Sequence, residues 1–239
     1  MATLAPQRLH PAVRDRLFFF VMALVIAATA VSGFVMQLSA GRSTFYSPWW
    51  VHVHALTFMG WLVLYLAQNW LVWRGAVVDH QRLGRIAAVY VGLMVLVGAS
   101  VDALCAHYHR VPPFFEVNVF LVMDWMILLV FAGLTWAAVR RRGASDWHRR
   151  LMLCGAIQIM VPGLARLLPL PLMGGWILWG IWAGLLPFML AALIYDVRTR
   201  GKVHPAYYFG FGAIVVGLVL IRPIAFLPPL LALTRHLTA

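Results

Sequence analysis

The sequence predicts an all-α integral membrane protein, a bundle of seven transmembrane helices with its N-terminus inside and its C-terminus outside. Three observations predict this class: the apolar composition, the spacing of the apolar runs and the placement of the basic residues. Of the 239 residues, 63% are hydrophobic and 11% are charged, and the mean hydropathy is +0.86. Soluble domains are about 45–50% apolar and about 25% charged, so the composition indicates that lipid is the solvent.

Runs of roughly 20 apolar residues, long enough to cross a hydrocarbon core of about 30 Å, define the seven helices. The predicted spans are 17–38, 51–73, 85–105, 117–139, 150–170, 174–196 and 206–232. The connections between them are short, so residues 1–239 are predicted to form a single transmembrane domain. The stretches VPGLARLLPLPLMGGW and IRPIAFLPPL are rich in Gly and Pro and are predicted to kink or interrupt the fifth and seventh helices.

Lysine and arginine are concentrated on alternate connections. Positions 8, 14, 16, 74, 82, 85, 140, 141, 142, 149, 150, 198, 200 and 202 hold 14 of the 19 basic residues. The opposite connections hold only Arg42, Arg110 and Arg235. Because cytoplasmic loops are enriched in Lys and Arg, this pattern predicts the stated orientation. The net charge of +12 is then explained by contacts with the lipid bilayer, and nucleic acid is not an expected partner.

The stretch WWVHVHALTFMGWLVLYLAQ, residues 49–68, carries two histidines on opposite helix faces, because residues two apart point about 200° away from each other. The face of His54 also carries polar and aromatic residues, namely Thr57, Trp61, Tyr65 and Gln68. The face of His52 carries Met59, Val63 and Trp70. Since polar side chains in a membrane helix normally face the bundle interior, His54 is the candidate functional residue and His52 belongs to an interfacial aromatic belt.

Ionisable residues inside the predicted spans are few, and they share one depth. Counting about 1.5 Å per residue places Asp102, Asp124, Arg166 and Arg222 in the outer half of the bilayer, level with His54. A charge at a helix centre costs about 2.5–3.5 kcal/mol on insertion scales, and pairing of two carboxylates with two guanidinium groups would offset that cost. The sequence therefore predicts a buried charge cluster drawn from five helices.

The leading hypothesis is that this cluster binds a cofactor in a redox or cofactor-handling role. For a heme-type tetrapyrrole, His54 would be an axial ligand with His109 or His107 opposite, while Arg166 or Arg222 would pair with the propionates. For a transition metal, His54, Asp102 and His109 would supply mixed nitrogen and oxygen ligands. No residue spacing in the sequence chooses between the two.

Three alternatives use the same residues differently. In a quinone or small-molecule binder, His54 and Asp124 would handle protons while Trp61 and Tyr65 form the walls. In a transporter, the same cavity would carry the substrate across the membrane. In an accessory or assembly subunit, the Asp–Arg pairs would only hold helices together, and the protein would dock onto a larger membrane complex.

Two inner connections carry similar elements, DHQRLG at 79–84 and DWHRRLM at 146–152, and a third carries GKVHP at 201–205. Asp79 and Asp146 are predicted to lie in the first turn of the following helix, where a carboxylate is favourable. Their histidine neighbours, together with the one in the third connection, either meet lipid headgroups or form an inner-face metal or heme site; they are His80, His148 and His204.

Taken together, HVHALTFMGWLVLYLAQ, DHQRLG, VPPFFEVNVFLVMD, DWHRRLMLCGA, VPGLARLLP and GKVHPAY resemble a family of small, largely uncharacterised bacterial multi-pass inner-membrane proteins. The resemblance extends from about residue 50 to the C-terminus, and it implies a location in the bacterial inner membrane. The HRLG-type element is also faintly similar to cytochrome-b-like and oxidase-assembly membrane proteins, which implies heme. Neither resemblance implies a particular reaction.

Overall fold

The computed structural model describes residues 11–239, and this range folds into helices joined by short turns without a strand. The helices in chain order are α1 (Pro11–Ser39), α2 (Trp49–Trp73), α3 (Val77–His107), α4 (Val117–Arg140), α5 (Ser145–Ile159), α6 (Val161–Ala165), α7 (Leu170–Met173), α8 (Ile177–Arg200), α9 (Pro205–Ala225) and α10 (Pro228–Thr238). A short 3₁₀ turn, Gly174–Trp176, joins α7 to α8.

Within residues 11–239, six helical stretches are long and apolar enough to cross a membrane. They are α1, α2, α3, α4, the stretch Leu170–Arg200 that ends with α8, and α9. Since a membrane-crossing helix needs about 20 predominantly apolar residues, these stretches make the chain a multi-pass membrane protein. The 15 residues of α5 and the 5 residues of α6 are each too short to qualify alone.

Prolines set the helix boundaries in the second half of the chain. The predicted fifth span is interrupted, as expected, where α5 ends at Ile159 and α6 begins with Val161 and Pro162. Proline lacks the N–H group that an unbroken helix would use at this point. The predicted seventh span is also interrupted, as expected, because α9 ends at Ala225 and the chain restarts with the Pro228–Pro229 pair at the beginning of α10.

One end of the bundle, here called the basic end, gathers the beginnings of α1, α3, α5 and α9 with the ends of α2, α4 and α8. Side-chain contacts join these helix termini in pairs. Phe20 stacks on Trp73, His80 lies against His148, and Tyr195 bonds Asp15. Most of the alternating basic residues lie at this end, so the charge pattern in the sequence corresponds to one face of the fold.

The remaining helix termini meet at the opposite end. The Gln37 amide near the end of α1 donates to the backbone carbonyl of Arg166, just after α6, at 3.1 Å. At the beginning of α4, the Asn118 amide donates to the carbonyl of Ala225 at 3.1 Å. The α5–α6 segment therefore begins at the basic end and finishes at the opposite end.

Small residues allow α1 to approach α6 closely. A Cβ built on Gly33 would lie 1.9 Å from the carbonyl oxygen of Gly163, and a Cβ on Gly163 would lie 2.6 Å from the Cα of Ala30. Such backbone proximity is how membrane helices gain van der Waals packing in a solvent as apolar as their own side chains. This contact fixes α6, and with it Arg166, against α1.

Candidate functional site

The inward face of α2 is the one that the sequence predicts. Thr57, Trp61 and Tyr65 are buried, whereas Val63 on the opposite face is 65% exposed. The Trp61 ring stacks on Tyr65 at 5.2 Å and meets Phe131 of α4 edge-on at 4.9 Å. These two aromatic residues therefore form part of the packed interface between α2 and α4, one or more turns beyond His54.

His54 lies on this face with one ring nitrogen available. Its ring stacks on Phe58, with centroids 4.3 Å apart. Its Nδ1 atom is buried and has no hydrogen-bond partner within residues 11–239. The ring also lies within electrostatic range of the Arg166 guanidinium group. An imidazole nitrogen without a partner at this depth is open to a ligand.

Arg166 is held in place by its backbone and by an aromatic ring. Its Nη1 donates to the carbonyl of Pro162 at 2.5 Å, and its guanidinium carbon lies 4.2 Å from the centre of the Phe34 ring of α1. The guanidinium group is also within electrostatic range of Asp124. The guanidinium group therefore interacts electrostatically with His54 and Asp124, while its hydrogen bond is to the backbone of its own helix segment.

Asp102 and Asp124 form a pair of neighbouring carboxylates between α3 and α4. Asp102 is 6% exposed, and the two carboxylates interact electrostatically with each other. Within the described part of the chain, neither has a lysine or arginine nitrogen inside 4.0 Å. Electrostatic interactions thus link Asp102 to Asp124 and Asp124 to Arg166, without the direct ion pairs that would compensate the carboxylates.

Two predicted members of the site lie elsewhere. Arg222 is exposed, lies 3.6 Å from Glu116 and stacks over Phe226, so the prediction that it belongs to the buried cluster was wrong. The reason is helical phase: Ile221 and Ala225 take the inward positions of α9, and residue 222 points away from them.

His109 is exposed as well, because α3 ends at His107 and His109 lies in a turn with a φ of 51°. It therefore does not continue the helix face that carries Asp102. Between residues 11 and 239, no group of three or more His, Cys, Asp or Glu side chains is arranged to hold a metal ion. The predicted ligand set of His54, Asp102 and His109 is not brought together.

The basic end contains a buried ion pair that the sequence reasoning missed. Arg150 and Asp196 both have fully buried side chains, and the guanidinium group of Arg150 donates through Nε and Nη2 to the carboxylate, with Nε 2.9 Å from Oδ2. The same Oδ2 accepts the backbone N–H of His204 at 2.9 Å. Arg150 had been assigned to the lipid headgroups, although the apolar run AALIY immediately before Asp196 indicates burial of that carboxylate.

Further charged groups surround this pair and compensate one another. Arg149 contacts Asp146, and its Nη2 lies 2.8 Å from Asp15 of α1. The Tyr195 hydroxyl donates to the other oxygen of Asp15 at 2.5 Å. Arg150 also donates to the backbone carbonyl of Asp146 at 3.1 Å. The first turn of α5 is thus joined to both α1 and α8 by polar contacts.

The three inner-face histidines separate into a pair and a cap. The rings of His80 and His148 lie 6.1 Å apart. The Nδ1 atom of His204 instead accepts the backbone N–H of Ala206 at 3.1 Å and so caps α9, while its ring lies edge-on to Trp147. Burial and the nearby Arg150 and Arg200 guanidinium groups lower the pKa of His204 below 6.5, which keeps the capping nitrogen unprotonated.

Comparison of the chain with protein-family models, with curated proteins and with solved structures finds no match. The functional conclusions below therefore rest on the geometry of the chain itself.

Proposed function

We propose that the protein crosses a bacterial inner membrane seven times, with the basic end in the cytoplasm. The position of α5 and α6 supports the seventh crossing. Together they run from Ser145 at the basic end to Ala165, and the following Arg166 bonds Gln37 at the opposite end. The concentration of arginine at the basic end supports the orientation, which places the N-terminus inside and the C-terminus outside.

We further propose that the site around His54 binds a small organic molecule and exchanges protons with it. The observation that carries this proposal is that Asp102 and Asp124 interact inside the bundle without a direct ion pair among the described residues. Arg166 is within electrostatic range of Asp124 and of His54, whose Nδ1 has no partner within residues 11–239. Ionisable residues inside a membrane protein are costly, and they typically mark ligand, ion or proton pathways.

The residues have distinct roles under this proposal. His54 bonds the polar part of the ligand through Nδ1, while Arg166 favours an anionic or carbonyl-bearing group. Asp124, within electrostatic range of both Asp102 and Arg166, takes up and releases the proton. A heme-type tetrapyrrole would find one axial ligand in His54 and one propionate partner in Arg166, so the cofactor hypothesis remains a special case of this site.

The test is mass spectrometry and an absorbance spectrum of protein purified in lipid nanodiscs, which limits loss of a weakly held molecule. Wild type is compared with His54→Ala, with Asp124→Asn and with the control His52→Ala, whose residue lies on the other face of α2. We expect one organic compound to be retained by wild type and by His52→Ala and to be depleted at least about tenfold, or 1.4 kcal/mol, in His54→Ala.

A Soret band that disappears only in His54→Ala would identify the compound as a heme-type cofactor. Identical small-molecule contents in all four proteins would overturn the proposal. So would a wild-type protein that carries only bulk lipid and co-purifies with a stoichiometric protein partner, which would favour an accessory subunit.

A further inference from the structure

The two similar elements of the sequence place their histidines against each other. His80 follows Asp79 in DHQRLG, and His148 follows Asp146 by two residues in DWHRRLM. Their rings come from the first turns of α3 and α5, with centroids 6.1 Å apart and planes at 80°. The binding site proposed above does not use this pair, which lies at the basic end.

Each ring has one nitrogen that is available to a ligand, and the His148 ring is oriented by a backbone carbonyl. Nδ1 of His148 lies 2.9 Å from the carbonyl oxygen of Ala138. Since a carbonyl only accepts, Nδ1 carries the proton and Nε2 carries the lone pair. The His80 ring lies near the backbone of Gln68, and its Nδ1 is buried without a partner within residues 11–239. Metal-binding histidines show this arrangement, because the bonded N–H orients the ring and makes the other nitrogen more basic.

A third donor lies beside the pair. Both polar atoms of the Gln68 side chain are buried and lack a hydrogen-bond partner within the described range. Its Nε2 lies 3.5 Å from the position of a Cβ built on Gly84, one helical turn after His80. The amide therefore lies along the same face of α3 as the His80 ring. Leaving a buried amide without a partner costs about 1–3 kcal/mol, which a bound ligand would recover.

We propose that His80, His148 and Gln68 bind one divalent transition-metal ion. The ring separation fits, since two imidazoles that each place a nitrogen about 2.0–2.1 Å from one ion have centroids about 5–6.5 Å apart. Two imidazole nitrogens and an amide oxygen suit zinc, copper, nickel or cobalt, with water in the remaining positions.

The surrounding charge does not oppose a cation as strongly as the sequence suggests. Arg149, next to His148, is paired with Asp15 and Asp146, and Arg150 is paired with Asp196. The guanidinium groups on the same turn of α5 are therefore compensated by carboxylates, and the net field on the histidine pair is reduced.

The test is a Co²⁺ titration of metal-stripped protein carrying a tag without histidine, followed by visible absorbance, with Cu²⁺ electron paramagnetic resonance as a second measurement. We expect one Co²⁺ per chain and nitrogen hyperfine coupling from two imidazoles on Cu²⁺. The affinity should fall about tenfold to a hundredfold or more in His80→Ala, His148→Ala and Gln68→Leu. The control His236→Ala changes an exposed histidine of α10 and should bind like wild type.

His54→Ala should also bind metal like wild type, so failure of the site around His54 and failure of this one are distinguishable. Unchanged stoichiometric binding in the double variant His80→Ala/His148→Ala would overturn the proposal. If the histidine variants do not fold, the wild-type spectrum alone decides, since a Cu²⁺ signal without imidazole nitrogen coupling would also overturn it.

Discussion

Removing one partner of the Arg150–Asp196 pair should destabilise the protein far more than removing both. Asp196→Leu keeps the branching of the side chain at Cγ, with a larger volume, but leaves the guanidinium group of Arg150 buried without its main acceptor. It also removes the acceptor for the backbone N–H of His204, which lies 2.9 Å from Oδ2. Arg150→Met leaves the carboxylate of Asp196 buried, and among residues 11–239 only that N–H then remains as its partner.

The size of the expected destabilisation follows from the burial of the Arg150 and Asp196 side chains. Each side chain is 0% exposed, and breaking a fully buried ion pair from one side costs about 3–5 kcal/mol. Asp196→Leu should lie at the lower end of this range, because Arg150 keeps the Asp146 backbone carbonyl at 3.1 Å and its carboxylate at 3.4 Å. The double variant should have nearly wild-type stability, since replacing both charges by apolar groups of similar volume is often neutral or stabilising by about 1–4 kcal/mol.

The assay is reversible unfolding in mixed detergent micelles, followed by far-UV circular dichroism for wild type, both single variants and the double variant. The expected coupling energy between the two positions is at least about 3 kcal/mol. Additive losses, with the double variant as unstable as the sum of the singles, would refute the view that an uncompensated buried charge is the main cost. Single variants within about 0.5 kcal/mol of wild type would show that the pair is not buried.

Two further predictions concern packing and pH. Gly33→Ala should lower the free energy of unfolding by about 1–3 kcal/mol or more, because its Cβ would lie 1.9 Å from the Gly163 carbonyl oxygen. The matched control in the same unfolding assay is Gly92→Ala, since Gly92 has open space around it. Equal stabilities of the two variants would contradict the close contact. Since the pKa of His204 is lowered on folding, the unfolded chain binds the proton more readily, and stability should fall as the pH drops below 6.5. The melting temperature of His204→Asn, which keeps a capping acceptor that does not titrate, should fall less between pH 7.5 and pH 5.5 than that of wild type, and parallel losses would refute this role.

The sequence predicts features that follow from local periodicity. The buried face of α2 could be identified because Thr57, Trp61 and Tyr65 recur at helical spacing. The apolar side chain of Val63 lies on the exposed side of the same helix. The interruption at Pro162 was predictable for the same reason, since proline acts on its own helix. Asp102 and Asp124 could be placed together because their depths follow from counting residues along two adjacent helices.

The errors came from helix rotation and from contacts distant in sequence. The outward orientation of Arg222 depends on which face of α9 packs against its neighbours, and depth alone does not give that face. His109 does not continue α3 because its own φ is positive, and the hydrophobic pattern of the sequence does not mark such a residue. The Arg150–Asp196 pair joins residues 46 positions apart, so neither residue's own surroundings reveal its partner.

The Arg150–Asp196 network and the site around His54 differ in how completely their polar groups are compensated. At the basic end, Arg150 and Asp196 bond each other, and Asp15 bonds both Tyr195 and Arg149. Groups compensated in this way gain little from a ligand, so their main effect is on helix packing. Within residues 11–239, Asp102 and Asp124 form no ion pair and the Nδ1 atom of His54 has no hydrogen-bond partner, although the low dielectric makes an uncompensated polar group expensive. A fold that tolerates this cost around His54, while it compensates the charges around Arg150, is consistent with a ligand completing the site around His54.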